Sequence, residues 1–267
     1  MNNVVICNDS DPLLIVIVHS HPNNFLKRST IRNTWGSVVS SRFKLLFLVG
    51  ISENKRLQSS LDEENKLYRD LIQGNFVDAY RNMTYKHVMG LKWVYYFCPN
   101  SRYILKADDD VFVNSPAMLD YISKKLLPYS VKNLLLCSPN INTPAKRSSR
   151  SKWRVTFREY AFPMYPTYCE GFAIMYSPDV VYTLYAHAQS ENYFWIDDVH
   201  ITGLLAAKAK LRHSSFGSSM LHADELQRVL NDDSGNYSYL VGPSNLKEDV
   251  ITKLWEKVSH SPNETKS

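Results

Sequence analysis

The chain has 267 residues with no Pro/Gly/Ser-rich linker in its middle, so a single domain over residues 1–267 is the expectation. Its net charge of +5 (31 basic against 26 acidic residues) is too mild to imply a nucleic-acid partner, and 44% hydrophobic residues are enough for a substantial core. No run approaches the roughly 18 uninterrupted apolar residues of a membrane span, and Leu13 to Val18, preceded by Asp9 and Asp11, is too short and too late for a signal-peptide core.

In chain order, Leu13 to Val18 is a continuous β-branched run, the pattern of a strand buried on both faces of a parallel sheet. A helix over Arg28 to Trp35, closed by Gly36, places Arg28 and Arg32 four apart on one face, equally suited to an anion or to ordinary surface pairing. A second buried strand over Lys44 to Val49 precedes a helix over Ser52 to Ile72, spaced by Leu57, Leu61, Leu67 and Leu71. Phe76 to Tyr80 reads as a short extended piece, and Asn82 to Phe97 as a helix.

Tyr103 to Asn114 then carries an apolar strand into three consecutive carboxylates, Asp108, Asp109 and Asp110. In an open α/β sheet ligands bind outside the carboxyl ends of strands. Adjacent carboxylates repel unless a cation neutralises them, and oxygen ligands suit Mg2+ or Mn2+. The plain alternative is a solvated acidic turn.

Ser115-Pro116 and Ser177-Pro178 each read as an N-cap followed by proline, opening helices to about Leu127 and Ala188. Leu134 to Cys137 and Ala173 to Tyr176 are predicted strands, Asp197 to Lys208 a helix, and Ser244 to about Val258 an amphipathic terminal helix. Alternating strands and helices indicate an α/β fold with a mostly parallel sheet. Six basic residues between Lys146 and Arg158, with no acid among them, form either a solvated loop or a lid.

Asp197-Asp198 supplies a second acidic centre behind the aromatic run Tyr193-Phe194-Trp195. Desolvation there would raise a carboxylate toward the range of a useful base; capping the next helix is the other reading. Four cysteines lack C-x-x-C spacing, which argues against zinc and allows two disulfides of undetermined pairing. Sequons at Asn82, Asn236 and Asn263 also lean toward an oxidising compartment.

Taken in order, Arg28-x-x-Ile31-Arg32-x-Thr34-Trp35-Gly36, Glu64, Tyr68-x-Asp70, Asp78-x-Tyr80-x-Asn82-x-Thr84-x-Lys86, Trp93, Cys98, and Lys106-x-Asp108-Asp109-Asp110-x-Phe112-x-Asn114 resemble the β1,3-galactosyltransferase family, glycosyltransferase family 31. Tyr165-Pro166-x-Tyr168-Cys169-x-Gly171 and Asp197-Asp198-Val199-x-x-x-Gly203 match its later blocks, so the resemblance covers about residues 12 to 225.

The resemblance implies a GT-A fold, a mostly parallel central sheet flanked by helices, and inverting transfer of galactose from UDP-galactose in β1,3 linkage. The acceptor would be a sugar on a glycoprotein or glycolipid. It further implies Mn2+ held by Asp110, with Asp108 and Asp109 meeting the ribose or orienting the site, and Asp198 as the general base. A histidine beyond the base motif would complete the metal site, and His222, 24 positions after Asp198, fits better than His200 or His213. Arg28, Arg32 and Lys106 are candidates to hold the nucleotide. A Golgi-luminal location follows from the resemblance, with any membrane association through an anchor and stem that this sequence does not contain.

The chain departs from the family pattern at Asp197, where glutamate is usual, and at Glu170 and Ala173 in the glycine block. These positions bear on donor and acceptor identity. Relatives with the same blocks transfer N-acetylglucosamine. A metal-dependent phosphoesterase and an inactive carbohydrate-binding relative are the competing classes, the first lacking the rich His/Asp set of a two-metal site.

Overall fold

The computed structural model describes residues 3–7, 11–38, 40–232, 234, 235 and 237–259; the sequons at Asn236 and Asn263 lie outside them. The elements are β1 (Leu14–His19), α1 (Phe25–Asn33), β2 (Phe43–Ile51), α2 (Lys55–Tyr68), β3 (Leu71–Val77), α3 (Met83–Phe97), β4 (Tyr103–Asp108) and α4 (Ser115–Tyr121). After these come β5 (Leu135–Cys137), β6 (Pro139–Asn140), β7 (Tyr168–Cys169), β8 (Ala173–Tyr176) and α5 (Pro178–Ala188). A π-helix (Val199–Leu205), α6 (Ala206–Lys208), β9 (His213–Ser215), α7 (Leu226–Asn231) and α8 (Glu248–Ser259) complete the chain.

Seven strands form one mixed, mostly parallel sheet in the order β3-β2-β1-β4-β8-β5-β9. β1 pairs in parallel with β2 and β4, and β8 lies antiparallel between β4 and β5. Every residue of β1 is buried, as its unbroken apolar run requires.

Strand alternation sorts the side chains onto two faces. Val16, Leu105 and Met175 pack with Ile31 of α1, Met118 of α4 and Leu254 of α8. Ile17, Ile104 and Ile174 pack with Leu91 of α3, Leu184 of α5 and Ile201 of the π-helix. The helices therefore flank the sheet on both sides. Gly90 lets α3 lie close, since a Cβ there would stand 2.6 Å from Leu48 Cδ1 and 2.9 Å from Ile17 Cδ1.

Local chemistry shifts several predicted boundaries. The helix anticipated up to Ile72 stops at Tyr68, where Arg69 adopts a left-handed φ of 55°, and Leu71–Val77 becomes β3 beside β2. The cap of α4 is Asn114, which accepts from the Ala117 amide, while Ser115 Oγ donates to the Trp35 carbonyl. Ser177 Oγ accepts from the Leu134 amide and does not cap α5.

The cysteines pair as Cys7–Cys98 and Cys137–Cys169, with Cα separations of 5.4 and 5.6 Å. The second bridge joins β5 to β7, two residues ahead of Gly171. Among the described residues no helix is long and apolar enough to cross a membrane.

Candidate active site

β4 ends at Asp108, and the carboxyl ends of the parallel strands open into a crevice of about 630 Å³. Its lining includes Asp108, Asp110, Gly171, Asp197 and Asp198, with Tyr80, Trp153, Tyr168 and Trp195 as aromatic walls. The two acidic centres of the sequence, almost ninety positions apart, thus share one chamber.

The three carboxylates of the triplet have different environments. Asp109 turns inward, accepting from Ser20 Oγ at 2.7 Å, Asn24 Nδ2 at 2.8 Å and Lys27 Nζ at 3.2 Å. It is 6% exposed and does not line the crevice. Asn24 immediately precedes α1 and spends its side chain on Asp109, leaving the helix without a side-chain cap. Asp110 faces the crevice, and Lys27 lies 3.2 Å from it as well as from Asp109.

Lys106 shares the sheet face of Ile104, toward α3 and the π-helix. Its ammonium donates to Asp108 Oδ1 at 2.5 Å and to the Gly171 carbonyl. Although burial disfavours its charge, Asp108 and Asp197 outweigh that and raise its pKa, keeping it cationic. The residue anticipated as a nucleotide ligand therefore sits in the crevice floor, holding Asp108 and the glycine segment in place. Burial, offset in part by Lys106, pushes the Asp108 carboxyl above its ordinary range.

Asp198 precedes the π-helix and accepts from the Val199 amide at 2.8 Å, while Thr202 Oγ1 donates to its carbonyl at 2.6 Å. The predicted helix from Asp197 is thus π-wound over Val199–Leu205, a form that often accompanies functional sites. Burial first, and the adjacent Asp197 charge second, raise the Asp198 pKa to about 7. Only Asp198 of the pair caps the helix; Asp197 is bonded to His87 instead.

Asp197 moves the other way. Burial alone would raise it, but the His87 hydrogen bond and Lys106 hold it below the ordinary carboxylate range. His87, fully buried on α3, places Nδ1 3.0 Å from Asp197 Oδ2 and Nε2 2.9 Å from the Tyr176 hydroxyl. Burial depresses the imidazole pKa, so the ring is neutral, donating to Asp197 and accepting from Tyr176. A carboxylate kept ionised beside one kept protonated near neutrality is the divided pair expected of acid–base chemistry.

The arginine assignments need correction. Arg28 is 0% exposed, pairs with Glu64 at 2.6 Å and donates to Ser20 Oγ and the carbonyls of His21 and Pro22. Arg32 pairs with Glu64 and Asp70, both at 2.7 Å, beneath the Tyr68 ring. Both guanidiniums are buried on carboxylates inside the fold and do not line the crevice. Arg28 instead supports the acidic segment indirectly, through the Ser20 that donates to Asp109.

His222 follows Leu221, whose amide bonds to Val241, and Val241 bridges to Val113 just beyond the triplet. The chain is thereby laid alongside the Asp110 segment, with His222 exposed. His213 Nε2 is engaged with the Thr202 carbonyl at 2.7 Å, and burial lowers the His200 pKa to about 4. His222 is not among the residues lining the crevice, and His19, in register with Asp108 at the end of β1, is another histidine at this end of the sheet. Among the described residues no three His, Cys, Asp or Glu side chains form a preassembled metal cluster. The oxygen chemistry of Asp110 fits a hard divalent cation.

Sequence reasoning missed His87, Lys27 and the crevice aromatics Tyr168 and Trp153 as parts of a site. His87 directly follows Lys86 of a motif block, yet nothing along the chain shows that this helix faces Asp197.

Fold and site together define an α/β protein whose strand-end crevice combines a cation-suited carboxylate with a carboxyl group poised near neutrality. The family model described as "Galactosyltransferase" matches residues 26–216, and the chain belongs to that family. It is 35% identical over 222 residues to the lactosylceramide 1,3-N-acetyl-beta-D-glucosaminyltransferase A of Xenopus laevis, covering 79% of this chain and 58% of the relative. It is 34% identical over 201 residues to the human UDP-GalNAc:beta-1,3-N-acetylgalactosaminyltransferase 1, covering 73% of this chain and 60% of that protein. The chain thus spans somewhat over half the length of these relatives. Among solved structures it is similar to the apo WbbM bifunctional glycosyltransferase, with a TM-score of 0.47, 9% identity, and coverage of 95% of this chain and 51% of that one.

Proposed function

We propose that this chain is an inverting, UDP-sugar-dependent β1,3-hexosyltransferase of the GT-A type with Asp198 as its base. The observation that carries the reading is the raised pKa of Asp198, about 7, in the same crevice as Asp108 and Asp110.

In this mechanism the donor diphosphate lies over the carboxyl end of β4, with Asp110 and His222 as the protein ligands of a divalent cation such as Mn2+. When bound, that cation neutralises charge on the departing UDP. Asp198 accepts the proton of the attacking acceptor hydroxyl as that oxygen bonds to the anomeric carbon and the bond to UDP breaks on the opposite face. One such displacement inverts the anomeric configuration. Asp197, kept ionised by His87, raises the proton affinity of Asp198, and Lys106 fixes Asp108 and the Gly171 carbonyl around the reacting sugar.

The named relatives transfer N-acetylhexosamines, which favours UDP-N-acetylglucosamine or UDP-N-acetylgalactosamine over the UDP-galactose first expected. The acceptor is a sugar hydroxyl on a glycolipid or glycoprotein. Two disulfides fit an oxidising, Golgi-luminal setting. The test is calorimetric titration with the three UDP-sugars, with Mn2+ and then with chelator. Metal-dependent binding of one donor, lost in Asp110→Asn, supports the assignment; a folded protein that binds none of them defeats it.

A further inference from the structure

The crevice wall formed by Tyr80 and Trp195 continues outward into a row of exposed aromatic side chains that the displacement itself does not use. Tyr80 is 52% exposed, and its ring centre lies 6.0 Å from that of Trp195, which stands three residues ahead of Asp198. The Arg81 guanidinium covers the Trp195 ring at 4.5 Å, and the Arg81 carbonyl accepts from the Tyr193 hydroxyl. Tyr193, 44% exposed, stacks on Tyr85, 48% exposed, with ring centres 4.6 Å and planes 23° apart. Phe76 adjoins Tyr85 at 6.0 Å. Thr84 Oγ1 donates to the Phe194 carbonyl at 2.7 Å and so pins the start of α3 to the segment carrying Tyr193 and Trp195. The row is therefore one connected surface that starts inside the crevice.

We infer that this row is a second sugar-binding site, which carries the inner units of a neutral oligosaccharide acceptor whose terminal hydroxyl lies at Asp198. It rests on the transferase reading only for the place of that terminal sugar. A pyranose presents a face of polarised C–H groups, which packs on the electron-rich face of an aromatic ring, and an edge of hydroxyls. The row answers both, with its rings and with the hydrogen-bonding groups of Arg81 and the tyrosines. Exposed rings contiguous with a crevice mark a binding surface, unlike apolar side chains scattered singly. Continuity also selects the acceptor over the donor. The row begins beside the base, whereas Ser244 and Asn245 line the crevice next to Asp110, whose carbonyl accepts from the Leu246 amide. Burial raises the Tyr80 pKa, a hydrogen bond from Trp153 opposes this, and the charge of Asp198 adds to the rise, as expected of a phenol close to the base. Arg81, the cation of the row, is paired with Glu159, which leaves no charge to recognise an anionic sugar.

The experiment measures transfer to two acceptor series of increasing length: methyl β-galactoside, lactose and lacto-N-neotetraose, and N-acetylglucosamine, chitobiose and chitotriose. In at least one series kcat/KM is expected to rise about tenfold or more from the monosaccharide to the longer acceptors, the scale of a favourable ring contact. Tyr85→Ala/Tyr193→Ala should remove that rise, and Tyr85→Phe/Tyr193→Phe, which keeps both rings, should retain most of it. Calorimetric affinity for UDP with Mn2+, unchanged in both variants, shows that the fold and the donor site are intact. Saturation-transfer NMR with the same sugars reads binding without turnover, which separates this proposal from the transferase reading. Inner-sugar protons saturated by wild type and not by the alanine pair support the row even where no sugar is transferred. Transfer indifferent to acceptor length in both series overturns the proposal, as does a length advantage that survives the alanine pair. Absence of both transfer and inner-sugar saturation overturns it too. Weakened UDP affinity in the alanine pair assigns the row to the donor, and a dimer that the pair dissociates assigns it to a second copy; either result also overturns it.

Discussion

His87 on α3 donates to Asp197 at 3.0 Å across 110 positions of chain, and its other nitrogen accepts from Tyr176 at 2.9 Å. This buried chain of three side chains keeps Asp197 ionised, and the charge of Asp197 in turn helps push Asp198 upward. His87→Phe should lower kcat by roughly tenfold to a hundredfold with little change in donor KM. It should also move the acidic limb of the pH profile downward, because an Asp197 without its donor keeps its proton more readily and pushes Asp198 upward less. His87→Gln, which keeps a donor, should recover part of both effects. A changed KM with an unmoved pH profile would show that His87 only fills space.

The rate should rise with pH through about 7, where Asp198 releases its proton and becomes able to act as a base. A pH profile of kcat/KM reads this directly. A flat profile from pH 5 to 9, with chemistry limiting, would remove Asp198 from the role.

Asp198→Asn should reduce transfer by roughly a hundredfold or more while leaving Mn2+-dependent UDP binding nearly intact. It should also stabilise the fold at alkaline pH. A carboxyl whose folded pKa is raised holds its proton longer than in the unfolded chain, so stability declines between its ordinary value of 3.8 and about 7. Removing that buried charge should raise the Tm above neutral pH and leave it nearly unchanged in acid. Calorimetric scans at several pH values measure this.

Arg28→Met removes one of the two arginines that pair with Glu64, leaving Arg32, and should cost about 3 kcal/mol in urea unfolding. The affinity for UDP should be unchanged in the folded fraction, which separates the structural role from nucleotide binding. The Arg28 and Arg32 hydrogen bonds hold the Glu64 pKa below its ordinary value despite burial. Its contribution is therefore complete above the unfolded value of 4.5 and lost as pH falls through the lowered folded value. The stability gap between wild type and Arg28→Met should narrow accordingly in acid.

The Cys137–Cys169 bridge closes a separation of 32 residues, and its removal should cost about 2–4 kcal/mol. Cys137→Ala/Cys169→Ala should lose more activity than stability alone explains. Cys169 lies two residues from Gly171, where a Cβ would stand 3.5 Å from Asp198 Oδ2. Thermal scans and turnover measured well below the Tm separate the two effects.

Much of the fold was legible along the chain because its signals are local. The buried run of β1 and the apolar approach to Asp108 announce parallel strands by composition alone, and the acidic triplet marks the strand end where ligands gather. The Asp197-Asp198 pair behind three aromatics was also readable as a desolvated carboxylate. Local periodicity did not show that Leu71 leaves a helix for β3, because pairing with β2 overrides helical spacing there.

By itself, then, the sequence determined the order of strands and helices, the family, and the two acidic centres, since these follow from neighbouring residues and their spacing. Only the tertiary structure decided which charges face the crevice. It turned Arg28, Arg32 and Asp109 inward onto buried partners and set Lys106 in the floor. It brought His87 to Asp197 from another helix, and it stacked Tyr193 on Tyr85 beside the crevice. Burial and partner choice depend on residues distant in the chain, and burial and partners are what set the state of an ionisable group.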